Sequence, residues 1–338
     1  MIDLLVAGGG PAGLATAVNA ALAGLDVVVA EPRSVPIDKA CGEGLMPNAV
    51  RRLSALGVHV DGHPFRGIRY VDAHRQVGTD FRAGHGLGVR RTVLHAALAA
   101  RAADLGIPVR PVRVDGVRQD AAGVDAGGVT ARYLVAADGL HSPIRRTLGL
   151  ATVAGGPVRY GLRRHFRVAP WSEHVEVHWS ERSEAYVTPL GPELVGVALL
   201  TAERGPFSQQ LQRFPALAAR LSSREDDGRV LGAGPLRQDV RARVSGRVLL
   251  VGDAAGYVDA LTGEGIAVAL GAAAELVRCV RTGRVQAYER AWRRVSRRYR
   301  LLTRGLVWAR DRPALAPRIV PAAARLPKVF GAVVDLLA

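Results

Sequence analysis

Three stretches of the chain share one pattern: an apolar run of strand length that stops abruptly at glycine or an acid. Residues 2–7 (Ile-Asp-Leu-Leu-Val-Ala) run into Gly8-Gly-Gly10, Tyr133-Leu-Val-Ala-Ala into Asp138-Gly139, and Arg247-Val-Leu-Leu-Val into Gly252-Asp253. Short apolar runs closed by such breakers mark strands buried on both faces. After the first run, residues 11–24 are alanine-rich and helical in character as far as Gly24, and residues 26–30 (Asp-Val-Val-Val-Ala) form a β-branched run ending at Glu31. Strand, turn, helix, strand is one βαβ unit. After the third run, Gly263-Glu264-Gly265 opens an alanine-rich helix that reaches about Cys279.

The segments between these runs have another character. Residues 66–82 and 107–132 read as short strands with Gly and Asp turns. Residues 174–200 read as a meander: His174 to Trp179, Glu184 to Thr188, then Glu193 to Leu200. Antiparallel strands set between parallel-sheet segments predict two domains that interleave along the chain. Residues 1–65, 91–150 and 240–285 form the first, residues 66–90 and 151–239 the second, and residues 286–338 a C-terminal helical segment. In that last segment Trp292, Val295, Tyr299, Leu302 and Leu306 recur at spacings of 3, 4, 3 and 4, with Arg293, Arg294, Arg297, Arg298 and Arg304 between them. This amphipathic basic helix docks on its own domain or, alternatively, makes a peripheral membrane contact through residues 290–310.

The first turn carries recognisable chemistry. Gly8 allows the tight turn, Gly10 lets backbone approach a pyrophosphate, and Gly13 lets the helix pack closely on the strand. Free N–H groups at the helix start then hold the phosphates. Glu31 ends the second strand, where a carboxylate accepts from ribose hydroxyls and would repel a 2′-phosphate. The turn alone suits a nicotinamide or a flavin dinucleotide. The distant Gly252-Asp253-Ala-Ala-Gly256 motif adds a second strand end for a longer ligand, which points to FAD.

Composition narrows the picture. The 338 residues suffice for one large or two interleaved domains, and 49 % are hydrophobic, as in a folded protein. The net charge of +16 is almost wholly arginine, with only Lys39 and Lys328 as lysines. The arginines are scattered and aromatics are 5 % of the chain, so a nucleic-acid partner is not expected. Two cysteines, Cys41 and Cys279, give no disulfide framework and suit a reducing, cytoplasmic setting. His174 and His178 resemble a metal pair, but four residues along a strand span roughly 13 Å, too far to share an ion. No metal site is expected, and Cys279 reads as a small core residue.

With these motifs placed, the chain resembles the FAD-dependent hydroxylase superfamily of the p-hydroxybenzoate hydroxylase type, and within it the geranylgeranyl-reductase-like branch. The resemblance rests on Gly8-x-Gly10-x-x-Gly13 with Glu31, on Lys39-Ala-Cys41-Gly42-Glu43-Gly44-Leu-Met-Pro47, on Ala137-Asp138-Gly139, and on Gly252-Asp253 continuing to Gly263-Glu264-Gly265. It implies an α/β fold: a Rossmann-like FAD-binding domain of the GR2 type, interleaved with an antiparallel substrate sheet, plus C-terminal helices. It also implies that Asp253 binds the ribityl chain, that Gly263, Glu264, Gly265 and Ile266 set a helix N-terminus at the flavin edge, and that Arg91 lies near the pyrophosphate. Pro11, Ala12, Pro32, Arg33, Gly42, Asp138 and Gly139 would complete the cofactor contacts. Relatives often have proline where this chain has Ala260. Reductases of the branch tend to have Cys-Gly-Gly where this chain has Cys41-Gly42-Glu43, which places Cys41 and Glu43 beside the flavin as candidate catalytic groups. Halogenases carry Trp-x-Trp-x-Ile-Pro where this chain reads Ala185-Tyr-Val-Thr-Pro189, so halogenation is not expected.

The activity implied is an FAD-dependent monooxygenase of a small apolar or aromatic metabolite, with NAD(P)H as transient reductant. The alternatives are a geranylgeranyl-type reduction of an isoprenoid double bond and a non-catalytic FAD-binding protein. The choice between NADH and NADPH, the substrate and the oligomeric state stay open.

Overall fold

A computed structural model of the protein describes residues 1–153 and 155–338. The strand Ile2–Ala7 lies at the centre of the first sheet, parallel to Val27–Ala30 on one side and to Val129–Ala136 on the other. Val109–Arg110 and Val248–Leu250 extend the parallel order outward on either side. Two short antiparallel strands, Val117–Gln119 and Val124–Ala126, and the edge strand Val244–Ser245 complete it. The three apolar runs are therefore neighbours, and their carboxyl ends open side by side. In open α/β sheets that is where ligands bind.

Helix Pro11–Leu22 crosses from the central strand to its neighbour and packs beside helices Arg91–Asp104 and Gly265–Arg281. Leu4, Leu5, Val6, Leu98, Leu134, Leu249 and Leu276 are fully buried in the core these helices form with the sheet. The central strand and this helix approach unusually closely at the glycine turn. A Cβ on Gly13 would lie 1.9 Å from the Gly8 carbonyl oxygen, and Gly8 itself has φ +113°.

The second sheet has the strand order Leu231–Ala233, Tyr160–Arg167, Leu194–Thr201, Ser183–Gly191, His174–Trp179, Gly67–Val71, Gln76–Asp80. Residues 67–80 thus join strands from residues 160–233 in one sheet. One pair, His174–Trp179 with Gly67–Val71, is parallel. The meander itself forms as three antiparallel strands with a register shift at Pro189–Gly191. His174 and His178 pair separately, with Asp80 and Glu176.

The C-terminal segment is helical over Tyr288–Arg310, Ile319–Arg325 and Pro327–Leu337. On the first of these, Trp292 and Tyr299 are buried and Val295, Leu302 and Leu306 half-buried, so the apolar stripe packs on the chain's own core. Among the described residues no helix is long and apolar enough to cross a membrane.

Replacing Gly13 with alanine forces the Pro11–Leu22 helix off its strand. We expect a loss of about 3 kcal/mol or more in chemical unfolding; a change below about 0.5 kcal/mol would show that the turn tolerates a side chain.

Candidate functional site

The carboxyl ends of the parallel strands open into a cavity of about 310 Å³. One part of its wall is the glycine turn with Gly10, Pro11 and Ala12, together with Arg33, Arg91, Asp138, Gly139, Gly252, Asp253, Gly263, Gly265 and Ile266. The Cys41-Gly42-Glu43 loop borders it, and beyond that loop the wall becomes apolar: Ile68, Phe81, Val175, Val177, Val334 and Leu337. Most of the residues singled out from the sequence therefore meet in one place. Gly8, Gly13, Glu31, Pro32 and Glu264 do not line the cavity. Gly8 and Gly13 act through backbone packing, and Pro32 is exposed.

Glu31 is 5 % exposed and fully engaged. The Gly9 N–H donates to its Oε2 at 2.8 Å, and Arg33 donates from its backbone N at 3.0 Å and from Nε at 2.8 Å to Oε1. Burial works to raise this carboxyl, but the Arg33 and Gly9 hydrogen bonds outweigh it and hold it below the usual range. Beneath the turn lies His95, which the sequence reading passed over. Its Nε2 meets the Gly9 carbonyl at 2.9 Å and its Nδ1 accepts from the Ile37 N–H at 3.3 Å, while burial lowers its pKa. A neutral ring with the proton on Nε2 satisfies both contacts.

A second residue missed from the sequence is Arg145. It is 2 % exposed and donates to the carbonyls of Leu140, Asp253 and Ala254 and to Gln238 Oε1. One guanidinium thus ties the Asp138-Gly139 loop to the Gly252–Ala255 turn, which no motif spacing reveals. Burial pushes the Asp138 carboxyl up. Its Oδ2 accepts from the Ile144 N–H at 3.1 Å, while its Oδ1 has no partner.

The loop at residues 41–43 is pinned at every position. Thr188 Oγ1 donates to the Gly42 carbonyl at 2.8 Å. The Glu43 carboxylate accepts the Arg91 backbone N–H at 2.8 Å and lies 2.6 Å from His165 Nε2. Glu43 has φ +59°, the one non-glycine at positive φ among the described residues. A left-handed glutamate costs about 1–3 kcal/mol, which the carboxylate's buried contacts offset. The position has a backbone that glycine adopts without cost, and Glu43 occupies it. Its side chain is 1 % exposed and anchors the loop through its contacts with the Arg91 N–H and His165. Cys41 is half-buried on the cavity wall, and burial pushes its thiol up. It is therefore protonated at neutral pH.

Arg91 is buried in the wall with Nη1 unpartnered, whereas its neighbour Arg90 pairs with Asp227. Across the cavity the loop Tyr257–Gly263 is fixed from outside. Tyr186 donates to the Leu261 carbonyl at 2.7 Å, Tyr299 to the Asp259 carbonyl at 2.9 Å, and Thr262 shares a 2.8 Å hydrogen bond with Thr303. These contacts hold the loop although Ala260 replaces the proline of relatives.

A family model described as an FAD binding domain matches residues 1–281. The chain belongs to that FAD-binding family. A menaquinone reductase of Mycolicibacterium smegmatis is 33 % identical over 327 aligned positions, covering 86 % of this chain and 79 % of the relative. The chloroplastic geranylgeranyl diphosphate reductase of rice (Oryza sativa subsp. japonica) is 28 % identical, covering 78 % of this chain and 63 % of the relative. A solved flavoprotein/dehydrogenase from Cytophaga hutchinsonii superposes with a TM-score of 0.85 over 99 % of this chain and 92 % of its own, at 18 % identity, which establishes the fold alone.

The residues present fit FAD. Space is open at Gly10, where an added Cβ would find nothing nearer than Arg91 Nη2 at 4.0 Å. The unpartnered Arg91 Nη1 and Asp138 Oδ1 are a buried donor and acceptor in the same wall. Phosphates would lie at the start of helix Pro11–Leu22, whose first-turn N–H groups have no intrahelical acceptor. The adenosine ribose would meet Glu31 by displacing the exposed Arg33 fork, and the ribityl chain would meet Asp253.

Asp253 is 36 % exposed and lies 3.8 Å from Lys39 Nζ, free to accept hydroxyl donors. Asp253→Ala should weaken FAD about 10- to 100-fold, the worth of charged hydrogen bonds. Protein that titrates with FAD as tightly as wild type would remove this contact. A second expectation concerns Glu264, buried at the start of helix Gly265–Arg281, its carboxyl pushed by burial up to about 8. Protonated at neutral pH, it leaves the helix N-terminal charge unquenched toward the flavin. The folded chain holds this proton more tightly than the unfolded chain does. The stabilisation is complete below the ordinary carboxylate value of 4.5 and fades as pH rises through about 8. Wild type should therefore lose stability relative to Glu264→Gln across that window. Parallel pH–stability curves would show that Glu264 is an ordinary carboxylate.

Proposed function

We propose that this flavoprotein is a reductase that saturates a carbon–carbon double bond in a long, apolar, prenyl-type chain. The observation that carries the reading is the continuity of the cavity from the dinucleotide turn into a pocket walled by Ile68, Phe81, Val175, Val177, Val334 and Leu337. Burying an apolar chain in such a pocket yields roughly 0.8 kcal/mol per CH₂, enough to hold a substrate with few polar handles. A small polar metabolite would leave most of this surface unused.

Bound FAD, reduced by a transiently bound NAD(P)H, would supply a hydride to one carbon of the double bond. The second carbon then needs a proton, and this chain provides a candidate donor. Cys41 faces the cavity as a neutral thiol, raised by burial and set by the Gly42 and Glu43 contacts. The Glu43 N–H donates to its sulfur at 3.4 Å, which orients it. The apolar wall excludes water that would otherwise compete as a proton source. The names of the relatives, menaquinone reductase and geranylgeranyl diphosphate reductase, agree with this chemistry.

A second reading, oxygen-dependent hydroxylation of an aromatic metabolite, is favoured by Tyr70 and Tyr186. Burial pushes both phenols above their usual range, so both stay protonated; Tyr186 gives its proton to the Leu261 carbonyl, which leaves Tyr70 as the phenol that can donate to an aromatic substrate.

The deciding experiment reduces the FAD-loaded protein anaerobically and presents menaquinone or geranylgeranyl diphosphate. A product heavier by two hydrogens, which with menaquinone must persist after air has reoxidised any quinol to the quinone, supports the reductase. No such product, together with a transient absorbance phase on mixing the reduced protein with oxygen, supports hydroxylation instead. With a working substrate, Cys41→Ala should lower turnover about 100-fold or more while FAD binding stays unchanged, the usual weight of a general acid. Turnover within about twofold of wild type would move the proton donor elsewhere.

A further inference from the structure

Helix Pro327–Leu337 has two apolar stripes. Phe330, Val334 and Leu337 are buried, and Val334 and Leu337 form part of the cavity wall. The neighbouring stripe points outward: Val329 is 57 % exposed, Val333 36 % and Leu336 46 %, and Leu326 just before the helix is 56 % exposed. Positions 326, 329, 333 and 336 fall on one side of a helix, so these four side chains form a continuous strip rather than scattered exposure. Among the described residues nothing covers it fully. Upstream, helix Tyr288–Arg310 leaves Leu301 61 % and Trp308 54 % exposed, seven residues apart on one face.

The charge around these side chains is one-sided. Between residues 290 and 328 there are twelve cations (eleven arginines and Lys328) and a single acid, Asp311. Asp311 is already paired with Arg310, and Asp335 on the last helix with Arg82. Two of these arginines are paired, Arg293 with Glu289 and the buried Arg310 with Glu184, but the segment still carries a large excess of cations. Arg325 and Lys328 flank the strip directly, and an apolar strip joined to such an excess suits a surface that is both apolar and anionic.

We propose that the outward strip of helix Pro327–Leu337, with Trp308 and the surrounding arginines, docks the protein on an anionic lipid bilayer. Each cation brought to such a surface adds about 1 kcal/mol, and the exposed valines and leucines enter the acyl boundary. The contact extends the one the amphipathic pattern of residues 290–310 predicts: of that helix it uses Trp308 and the arginines, whereas Trp292 and Tyr299 are buried. It also gives the site a route of supply. One side of the last helix walls the cavity and the other meets the bilayer, so an apolar chain reaches the flavin without crossing water. This last step rests on the prenyl-substrate reading; the docking itself does not.

The test uses the FAD-loaded full chain and vesicles of phosphatidylcholine with or without phosphatidylglycerol. Wild type should co-sediment with the anionic vesicles at low salt and much less with neutral ones. The double variant Val329→Asp/Val333→Asp should bind at least about tenfold more weakly, with FAD content and thermal midpoint near wild type. Leu22→Asp, an exposed apolar position elsewhere, should bind like wild type. Three results would overturn the proposal: no sedimentation with anionic vesicles; equal binding by the double variant; or a self-associating wild type whose dimer, and not its lipid binding, disappears in the double variant. Vesicle binding without any reduced prenyl product would leave the docking standing and remove only the substrate reading.

Discussion

A Cβ on Gly13 would lie 1.9 Å from the Gly8 carbonyl, and that absent methyl is what the site depends on. Because the helix can sit directly on the central strand, its first-turn N–H groups point across the carboxyl ends of three neighbouring strands. The acids and glycines that end those strands, Glu31, Asp138-Gly139 and Gly252-Asp253, are brought around one opening as a consequence of strand order. Arg145 then locks two of the strand ends to each other through buried bonds to four acceptors. A buried guanidinium is costly unless its donors are met. Here Nη1 and Nη2 are met by the carbonyls of Leu140, Asp253 and Ala254 and by Gln238, while Nε is left without a partner.

The far wall is held by a different set of forces. The loop Tyr257–Gly263 hangs from Tyr186 of the second sheet and from Tyr299 and Thr303 of the C-terminal segment. Beneath it Arg159, 2 % exposed, lies against both Glu184 and Asp259, and Arg310 closes on the other Glu184 oxygen at 2.8 Å. Burial pushes Asp259 up to about 6 even with Arg159 working against it. Removing either arginine would leave a buried carboxylate uncompensated, the expensive way to break such a cluster. The catalytic face is thus shaped by three distant parts of the chain, and the C-terminal helices belong to the site rather than being appended to it.

The parts of this arrangement that were legible in the sequence are those set by local pattern. The βαβ unit, the meander and the helix after Gly265 follow from apolar periodicity and breakers, and the structure forms each of them. What could not be read were contacts between residues far apart in sequence. Arg145 is one arginine among many, and His95 looks like any helix residue until the turn folds over it. The apolar wall draws on residues 68–81 and 334–337 as well as on the substrate sheet, because the last helix returns to the sheet face only in three dimensions. A helix as short as Phe207–Leu211 spans little more than one turn, too little for a helical repeat to show in the sequence.

Glu43 shows how sequence and structure can point in opposite directions. As a residue type it argues against the Cys-Gly-Gly loop of reductases, since a carboxylate replaces a glycine. As a conformation it argues for that loop, since its φ of +59° is the one glycine adopts without cost. The carboxylate that makes the substitution look foreign is also what holds the strained backbone, through the Arg91 N–H and His165. The charge is turned away into a buried pair, and the thiol of Cys41 is left as the group presented to the cavity. A glutamate at this position therefore occupies a backbone conformation suited to glycine, and its buried pair and the Cys41 thiol are held together at the cavity wall.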